Sequence, residues 1–320
     1  MMIEAVDAMK TNSVLPIPLP TSLVSSLTAT ISATATASVT PLPTVIPGPE
    51  IDQQLVGDDG KKTLWVIFVA MVIASAGFAA LSWRVPIQRR LYHVITTLIL
   101  IFASISYFAM ATGHGVSVHK TVIRHQKTTF PTLHHGRTPV FWARYVDRAL
   151  TTLILLHDLS LLAGLNGAHI IMAVVADVIM ILTGLFAAFG SEGTPQKWGW
   201  YAISCISFLV VIWHLAVNGR AQANARSQKV GSFFLAIAGY TLVLWTAYPI
   251  VWGIADGSRK LSVDAEIIAY AVPDVLAKPI FGLWLLITHA NIPETNIDLG
   301  GFWSYGFGGE GAVRLEDDGA

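Results

Sequence analysis

Among the ionisable residues inside long apolar stretches of this sequence, Asp147, Asp158, Asp274 and Lys278 stand out by their spacing. In such surroundings an ionised side chain must be paired or must face a cavity, so each marks either a structural ion pair or a functional site. Asp147 and Asp158 belong to Arg144-Tyr145-Val146-Asp147-Arg148-Ala149-Leu150-Thr151-Thr152-Leu153-Ile154-Leu155-Leu156-His157-Asp158. Eleven residues is close to three whole turns of a helix, so the two carboxyls share one face about 16 Å apart along the axis. They are either two ion pairs near helix ends or, as the common face favours, two stations of a proton path. Asp274 and Lys278 stand at i and i+4 in Ala271-Val272-Pro273-Asp274-Val275-Leu276-Ala277-Lys278-Pro279 and can pair on one face. The lysine is a buried ammonium held by carboxylates or the amine of a Schiff base, and the spacing does not choose between these.

A stripe of Trp245, Tyr248, Pro249 and Trp252 falls at i, i+3, i+4 and i+7. By itself it reads as core packing around a proline-opened backbone. Beside an intramembrane lysine and carboxylates it also suits the wall of a pocket for a flat, conjugated ligand.

The elements that must position these residues follow from composition. The 320-residue chain is 53% hydrophobic and only 12% charged, about half the charge of an ordinary soluble domain. Its mean hydropathy of +0.59 argues against a soluble enzyme. Lys+Arg and Asp+Glu balance at 20 each, leaving no cationic excess for a nucleic-acid partner. Cys205 is the only cysteine, which excludes an internal disulfide framework and a Cys-based zinc site; no metal is implied.

Seven apolar stretches, 63–83, 91–112, 140–163, 168–189, 198–215, 232–253 and 263–289, approach the roughly 20 residues that span a bilayer as a helix. The fold class expected is an all-α, seven-transmembrane-helix bundle in a lipid bilayer, with an internal pocket, over 61–290. Residues 113–139 interrupt it with a His-, Thr- and Gly-rich segment whose alternation suggests a small hairpin. Eleven of the twenty residues between Pro20 and Pro41 are Ser or Thr, so 1–60 reads as a disordered N-terminal tail rather than a first span. Residues 291–320 read as a polar C-terminal tail. Lys and Arg are distributed over both sets of loops, and the positive-inside rule gives no orientation.

Taken together, seven helices, a lysine in the last, an aspartate one turn before it and Arg144-Tyr145-x-Asp147-x-x-x-Thr151-Thr152 in the third resemble the microbial (type 1) rhodopsins. Ala176-Asp177 with Ile179-Met180 and Thr183-Gly184 is similar to that family's fourth helix, and Trp245-Thr246-Ala247-Tyr248-Pro249 to its sixth. Phe186–Trp200 and the acidic C-terminus look closest to the fungal, bacteriorhodopsin-like proton-pump branch. The resemblance implies all-trans retinal bound to Lys278 as a protonated Schiff base. Asp147 and Asp274 would be its counterions, and Asp147 the proton acceptor. Asp158 would hold a proton in the dark and return it to the Schiff base. Arg144 would sit below them and hold water on the release side. Glu266, eight residues before Asp274, matches a release-side glutamate of the archaeal pump, and the second such position falls near Asp256 with a one-residue slip. Trp245, Tyr248, Trp252, Pro249, Trp200, Met180, Gly184, Ser204 and Thr151 would line the chromophore, with Asp177 near its ring end. The same resemblance implies a multi-pass plasma-membrane protein, N-terminus outside and C-terminus cytoplasmic, compatible with a homo-oligomer such as a trimer.

Three positions depart from the family pattern. Arg148 stands where a tryptophan usually packs on the polyene, Leu153 replaces a proline, and His157 replaces a leucine beside Asp158. A second guanidinium one turn from Arg144 is costly to bury, so Arg148 either enters the pocket, pairs with Asp147 or turns to a water-filled cavity. His157 either assists proton uptake or, as is favoured, faces a neighbouring helix. The expected activity is light-driven outward proton transport rather than chemical catalysis. The main rival is a sensory photoreceptor with a slow or futile cycle and an unknown signalling partner. A third reading, an opsin relative that binds no chromophore, is opposed by Lys278.

Overall fold

In the computed structural model, the described residues are 51–125 and 132–292. Residues 1–50, most of the expected N-terminal tail, and the C-terminal segment from 293 lie outside them. Seven long helices are present among the described residues: α1 (Asp58–Trp83), α2 (Leu91–Ala111), α3 (Trp142–Ala163), α4 (Gly167–Ala188), α5 (Pro195–Arg226), α6 (Gln228–Gly257) and α7 (Val263–Asn291). Six are long and apolar enough to cross a membrane. The remaining one, α3, is of similar length but carries Arg144, Asp147, Arg148 and Asp158. Those charges are tolerable because α3 is walled in by its neighbours: Arg144, Asp147 and Asp158 are all buried. The outer faces carry Ile73, Ile105, Ile171, Ile206, Leu209 and Val243, all exposed. A bundle apolar on its outside and polar within is what a bilayer, and not water, selects.

Helix starts follow side-chain chemistry. Asn166 accepts from the backbone N–H of His169, Ser227 from that of Val230, and Ser262 from that of Ala265, each satisfying a donor that the first turn leaves free. At the end of α3, Gly164 takes φ +73°, a left-handed conformation that glycine adopts without strain. A Cβ there would also come within 2.9 Å of the Arg226 side chain. That arginine caps α3 by donating to the carbonyls of Leu161 and Leu162 at 3.3 and 2.9 Å.

The segment between α2 and α3 forms the expected hairpin: β2 (Ser117–His125) pairs antiparallel with β3 (Thr132–Val140), Ser117 opposite Val140. A short strand, β1 (Ile51–Gln53), adds parallel to β3, giving the order β1-β3-β2. Residues 51–60, read from the sequence as the end of the tail, thus supply a strand and the first residues of α1.

Three helices contain π segments: Trp213–Gly219 in α5, Gly253–Gly257 in α6 and Leu276–Ile280 in α7. The last surrounds Lys278 and contains Pro279, whose ring lacks an N–H and would crowd the carbonyl four residues back in a regular helix. Widening the turn relieves that clash. A neighbouring helix supports the disturbed backbone, for the Tyr240 hydroxyl donates to the Leu276 carbonyl at 3.0 Å. By contrast α3, with Leu153 in place of a proline, runs unbroken from Trp142 to Ala163.

Candidate functional site

The tertiary structure brings α3 and α7 together at their charged faces. Lys278 Nζ donates to Asp147 Oδ2 and stands 3.4 Å from Asp274 Oδ1. All three residues are buried. An ammonium so far from water is stable only with such partners. The two carboxylates differ in their surroundings. Asp274 accepts from the Tyr107 hydroxyl at 2.6 Å and the Tyr248 hydroxyl at 2.7 Å, one on each oxygen. Asp147 Oδ1 is buried with no hydrogen-bond partner among the described residues. Asp274 is therefore held fixed as an acceptor, whereas Asp147 keeps one oxygen free to take a proton.

On the N-terminal side of α3, Arg144 donates to Glu266 Oε1 at 2.7 Å in a buried ion pair. Its guanidinium lies over the Tyr270 ring at 3.9 Å, an attraction between cation and ring quadrupole that replaces part of the lost hydration. Asp256, also buried, joins this cluster beside Arg144 and Arg259, with Tyr270 as a hydrogen-bond partner. Asp256 lies in the π segment Gly253–Gly257, and a π turn accommodates one residue more than an α turn.

Towards the other end of α3, Asp158 is 1% exposed and neither carboxyl oxygen has a hydrogen-bond partner among the described residues. His157 is exposed on the outer face. It therefore does not face a neighbouring helix as expected, because adjacent residues diverge by about 100° and Asp158 takes the inward direction.

Beside Lys278 lies a mostly apolar cavity. Thr151, Met180, Gly184, Ser204, Trp245, Tyr248, Pro249 and Trp252 line it, together with Tyr145, Tyr201, Cys205 and Phe208. Two expected wall residues do not. Trp200 packs edge-on against Phe186 at 5.3 Å between ring centroids, and the adjacent Tyr201 faces the cavity instead. Tyr201 is held there by stacking on Trp252 at 4.5 Å and by donating to the Pro249 carbonyl at 2.8 Å. Asp177 is fully buried behind Thr152, whose hydroxyl donates to Asp177 Oδ2 at 2.8 Å; Thr152, not Asp177, reaches the cavity.

Arg148 resolves one of the alternatives left by the sequence: it lines the cavity. Its guanidinium lies 3.5 Å from the centroid of the Tyr248 ring, and its Nε and Nη2 are buried without hydrogen-bond partners among the described residues. With Lys278 it balances the charges of Asp147 and Asp274. The geometry accommodates retinal. The Lys278 amine is flanked by carboxylates that match its charge and borders a mostly apolar cavity with Trp245, Tyr248 and Trp252 in its wall.

Sequence reasoning did not single out Tyr107, Tyr145, Tyr201 or Tyr270. Tyr270 stands four residues before Asp274 and shares its face, a signal present in the spacing. Tyr107 reaches Asp274 across 167 residues of sequence, and no local pattern encodes such a contact.

Comparison with known proteins agrees with this architecture. Residues 61–292 match the family model described as bacteriorhodopsin-like protein. The chain is 54% identical to Opsin-1 of Neurospora crassa over 279 residues, covering 87% of this chain and 91% of that one. The structure resembles a light-driven proton pump from Leptosphaeria maculans with TM-score 0.74 and 63% identity, covering 76% of this chain and 99% of that one. It also resembles the light-driven proton pump of Coccomyxa subellipsoidea with TM-score 0.67 and 35% identity over 74% and 100%. A buried lysine between two aspartates, set in a seven-helix multi-pass membrane bundle, thus belongs to a fungal microbial rhodopsin of the bacteriorhodopsin-like family, whose members are light-driven pumps and photoreceptors and not enzymes.

Proposed function

We propose that this rhodopsin binds all-trans retinal at Lys278 and pumps protons outward across the plasma membrane. The observation that carries the reading is Asp158: a buried carboxyl without a hydrogen-bond partner among the described residues, on the face of α3 shared with Asp147, on the opposite side of Lys278 from Arg144 and Glu266. Retinal, joined through its aldehyde carbon to Lys278 Nζ, would supply light absorption and a change of shape. The rest is the work of this chain's residues. Asp147, with its free Oδ1, takes the proton from Lys278 Nζ. Asp158 carries its carboxyl as the neutral acid, since an isolated carboxylate in that apolar setting has nothing to offset its lost hydration. It refills Lys278 Nζ from the other side. With the N-terminus outside, α3 begins at the outer face, which places Arg144, Glu266 and Asp256 on the exit side and Asp158 on the entry side.

The test is the light-induced pH change of cells expressing the chain with added all-trans retinal. Acidification of the medium that a protonophore abolishes is the expected result. Coloured cells without it would overturn pumping. Asp158→Asn should keep the colour but slow recovery of the dark state roughly 10²-fold, the lower range for a lost proton-transfer group. A small permeant weak acid should restore much of the rate, since it replaces the missing donor. Flash photolysis with unchanged recovery would remove Asp158 from this role.

One observation favours a second reading, a sensory photoreceptor with little net transport. Arg148 places an additional cation in the cavity, beside both carboxylates. Two of its buried donors lack partners, an arrangement that costs about 1–3 kcal/mol. Arg148→Trp should therefore lengthen the thermal bleaching half-time of the pigment and increase outward current. An identical spectrum, half-time and current would show that the guanidinium does not act on the site.

A further inference from the structure

Two imidazoles meet outside the site described above. His169, in the first turn of α4, and His214, in the π segment of α5, oppose their Nδ1 atoms at 3.1 Å with ring planes inclined by 56°. His214 is buried at 8% exposure and His169 is half-buried. Asn166 Oδ1 is occupied by the backbone N–H of His169 and not by its ring. Two Nδ1 atoms facing each other hold at most one proton between them, so at least one lone pair is directed into the gap.

The separation suits a metal ion. Imidazole–zinc bonds are about 2.0–2.1 Å, and two of them meeting at about 90–110° place their nitrogens roughly 2.9–3.4 Å apart. The observed 3.1 Å lies inside that interval. The backbone is arranged to produce it, because His214 is the second residue of the π segment Trp213–Gly219. Such a segment turns side chains away from their α-helical directions and recurs at functional sites. Its neighbour Trp213 is exposed on the outer face while His214 turns inward against α4.

We propose that His169 and His214 form a binding site for a first-row divalent cation of the Ni2+, Cu2+ or Zn2+ type, ligated by both Nδ1 atoms with water completing the shell. Imidazole suits these ions, with Cu2+ the strongest binder. Among the described residues no group of three or more His, Cys, Asp or Glu side chains is placed to hold a metal, so two protein bonds hold the ion and it exchanges with solution. It would clamp α4 to α5 at the end of the bundle where α3 terminates, five residues beyond Asp158. The site is independent of retinal binding and of pumping.

Isothermal titration of the tag-free full chain in lipid nanodiscs with Ni2+ should show a saturable site of one ion per chain. His169→Ala and His214→Ala should each remove it or weaken it at least about tenfold, as even outer-shell changes at metal sites do. Because His214→Ala perturbs a packed helix, Cu2+ paramagnetic resonance of the unaltered chain at one equivalent provides a measurement that needs no variant. Nitrogen couplings from two imidazoles are expected. Binding that survives both alanine variants, binding lost only when hairpin residues His134 and His135 are replaced, or a spectrum with fewer than two nitrogens would each overturn the site.

Discussion

Lys278→Ala is expected to leave the chain in the membrane with no visible absorption band after addition of all-trans retinal. Among the described residues Lys278 is the only lysine lining the cavity, and Arg148 and Arg144 cannot replace it because guanidinium groups remain protonated and are not nucleophilic. The substitution also leaves Asp147 and Asp274 facing one another without the ammonium between them. Removing one partner of a buried ion pair typically costs about 3–5 kcal/mol, so colour loss alone would not separate chemistry from misfolding. Lys278→Arg makes that separation. It keeps a cation between the carboxylates and should preserve most of the thermal stability, yet it too should be colourless. Absorption spectra and melting curves of both variants are the measurement. A persistent visible band in Lys278→Ala would remove the lysine from its assigned role and return the chain to the reading of an opsin relative without a covalent chromophore.

Asp147→Asn should abolish outward current while the pigment remains coloured. The asymmetry of the two carboxylates is the reason. Both oxygens of Asp274 are occupied by tyrosine hydroxyls at 2.6 and 2.7 Å, whereas Asp147 contacts Lys278 Nζ and leaves Oδ1 unpartnered. An amide at position 147 keeps the volume and can accept a hydrogen bond, but it cannot accept the proton. The visible band should move to longer wavelength, since a negative charge beside the cationic nitrogen is lost. Voltage-clamped photocurrent and the absorption spectrum read these two effects separately. Sustained outward current in Asp147→Asn would transfer the acceptor role to Asp274. The complementary Tyr107→Phe should affect current much less, because Tyr248 continues to hold Asp274.

Much of the fold was legible from composition and period. Seven apolar stretches separated by polar segments are enough to predict seven helices, because each peptide group inside a bilayer must find its hydrogen bond within its own helix. The stretch with the lowest hydropathy, α3, was recognisable for the same reason that it is not apolar enough as a span: its charges require shelter by the others. The hairpin after α2 followed from alternation over Val116–Ile123, and its register extends from Ser117–Val140 to His125–Thr132. The ends of α5 and α6 were less legible. Both extend beyond their apolar cores, to Arg226 and Gly257, through π segments too short to leave a periodic trace in the sequence.

Within the site, what lies on one helix was readable and what lies between helices was not. The common face of Asp147 and Asp158, the Asp274–Lys278 pair and the stripe from Trp245 to Trp252 all depend on 3.6-residue periodicity, which is a property of the local chain. The choice of Tyr201 over Trp200 as a wall, the withdrawal of Asp177 behind Thr152, the reach of Tyr107 to Asp274 and the entry of Arg148 into the cavity depend on which neighbour occupies the space alongside. The sequence by itself determined a membrane bundle with an amine and carboxyls on shared faces of single helices, because burial of charge and helix geometry are local constraints. Only the tertiary structure decided that Lys278 meets Asp147, that Asp274 is pinned by two hydroxyls and that Asp158 has no hydrogen-bond partner among the described residues, since each depends on the rotation of one packed helix against the next.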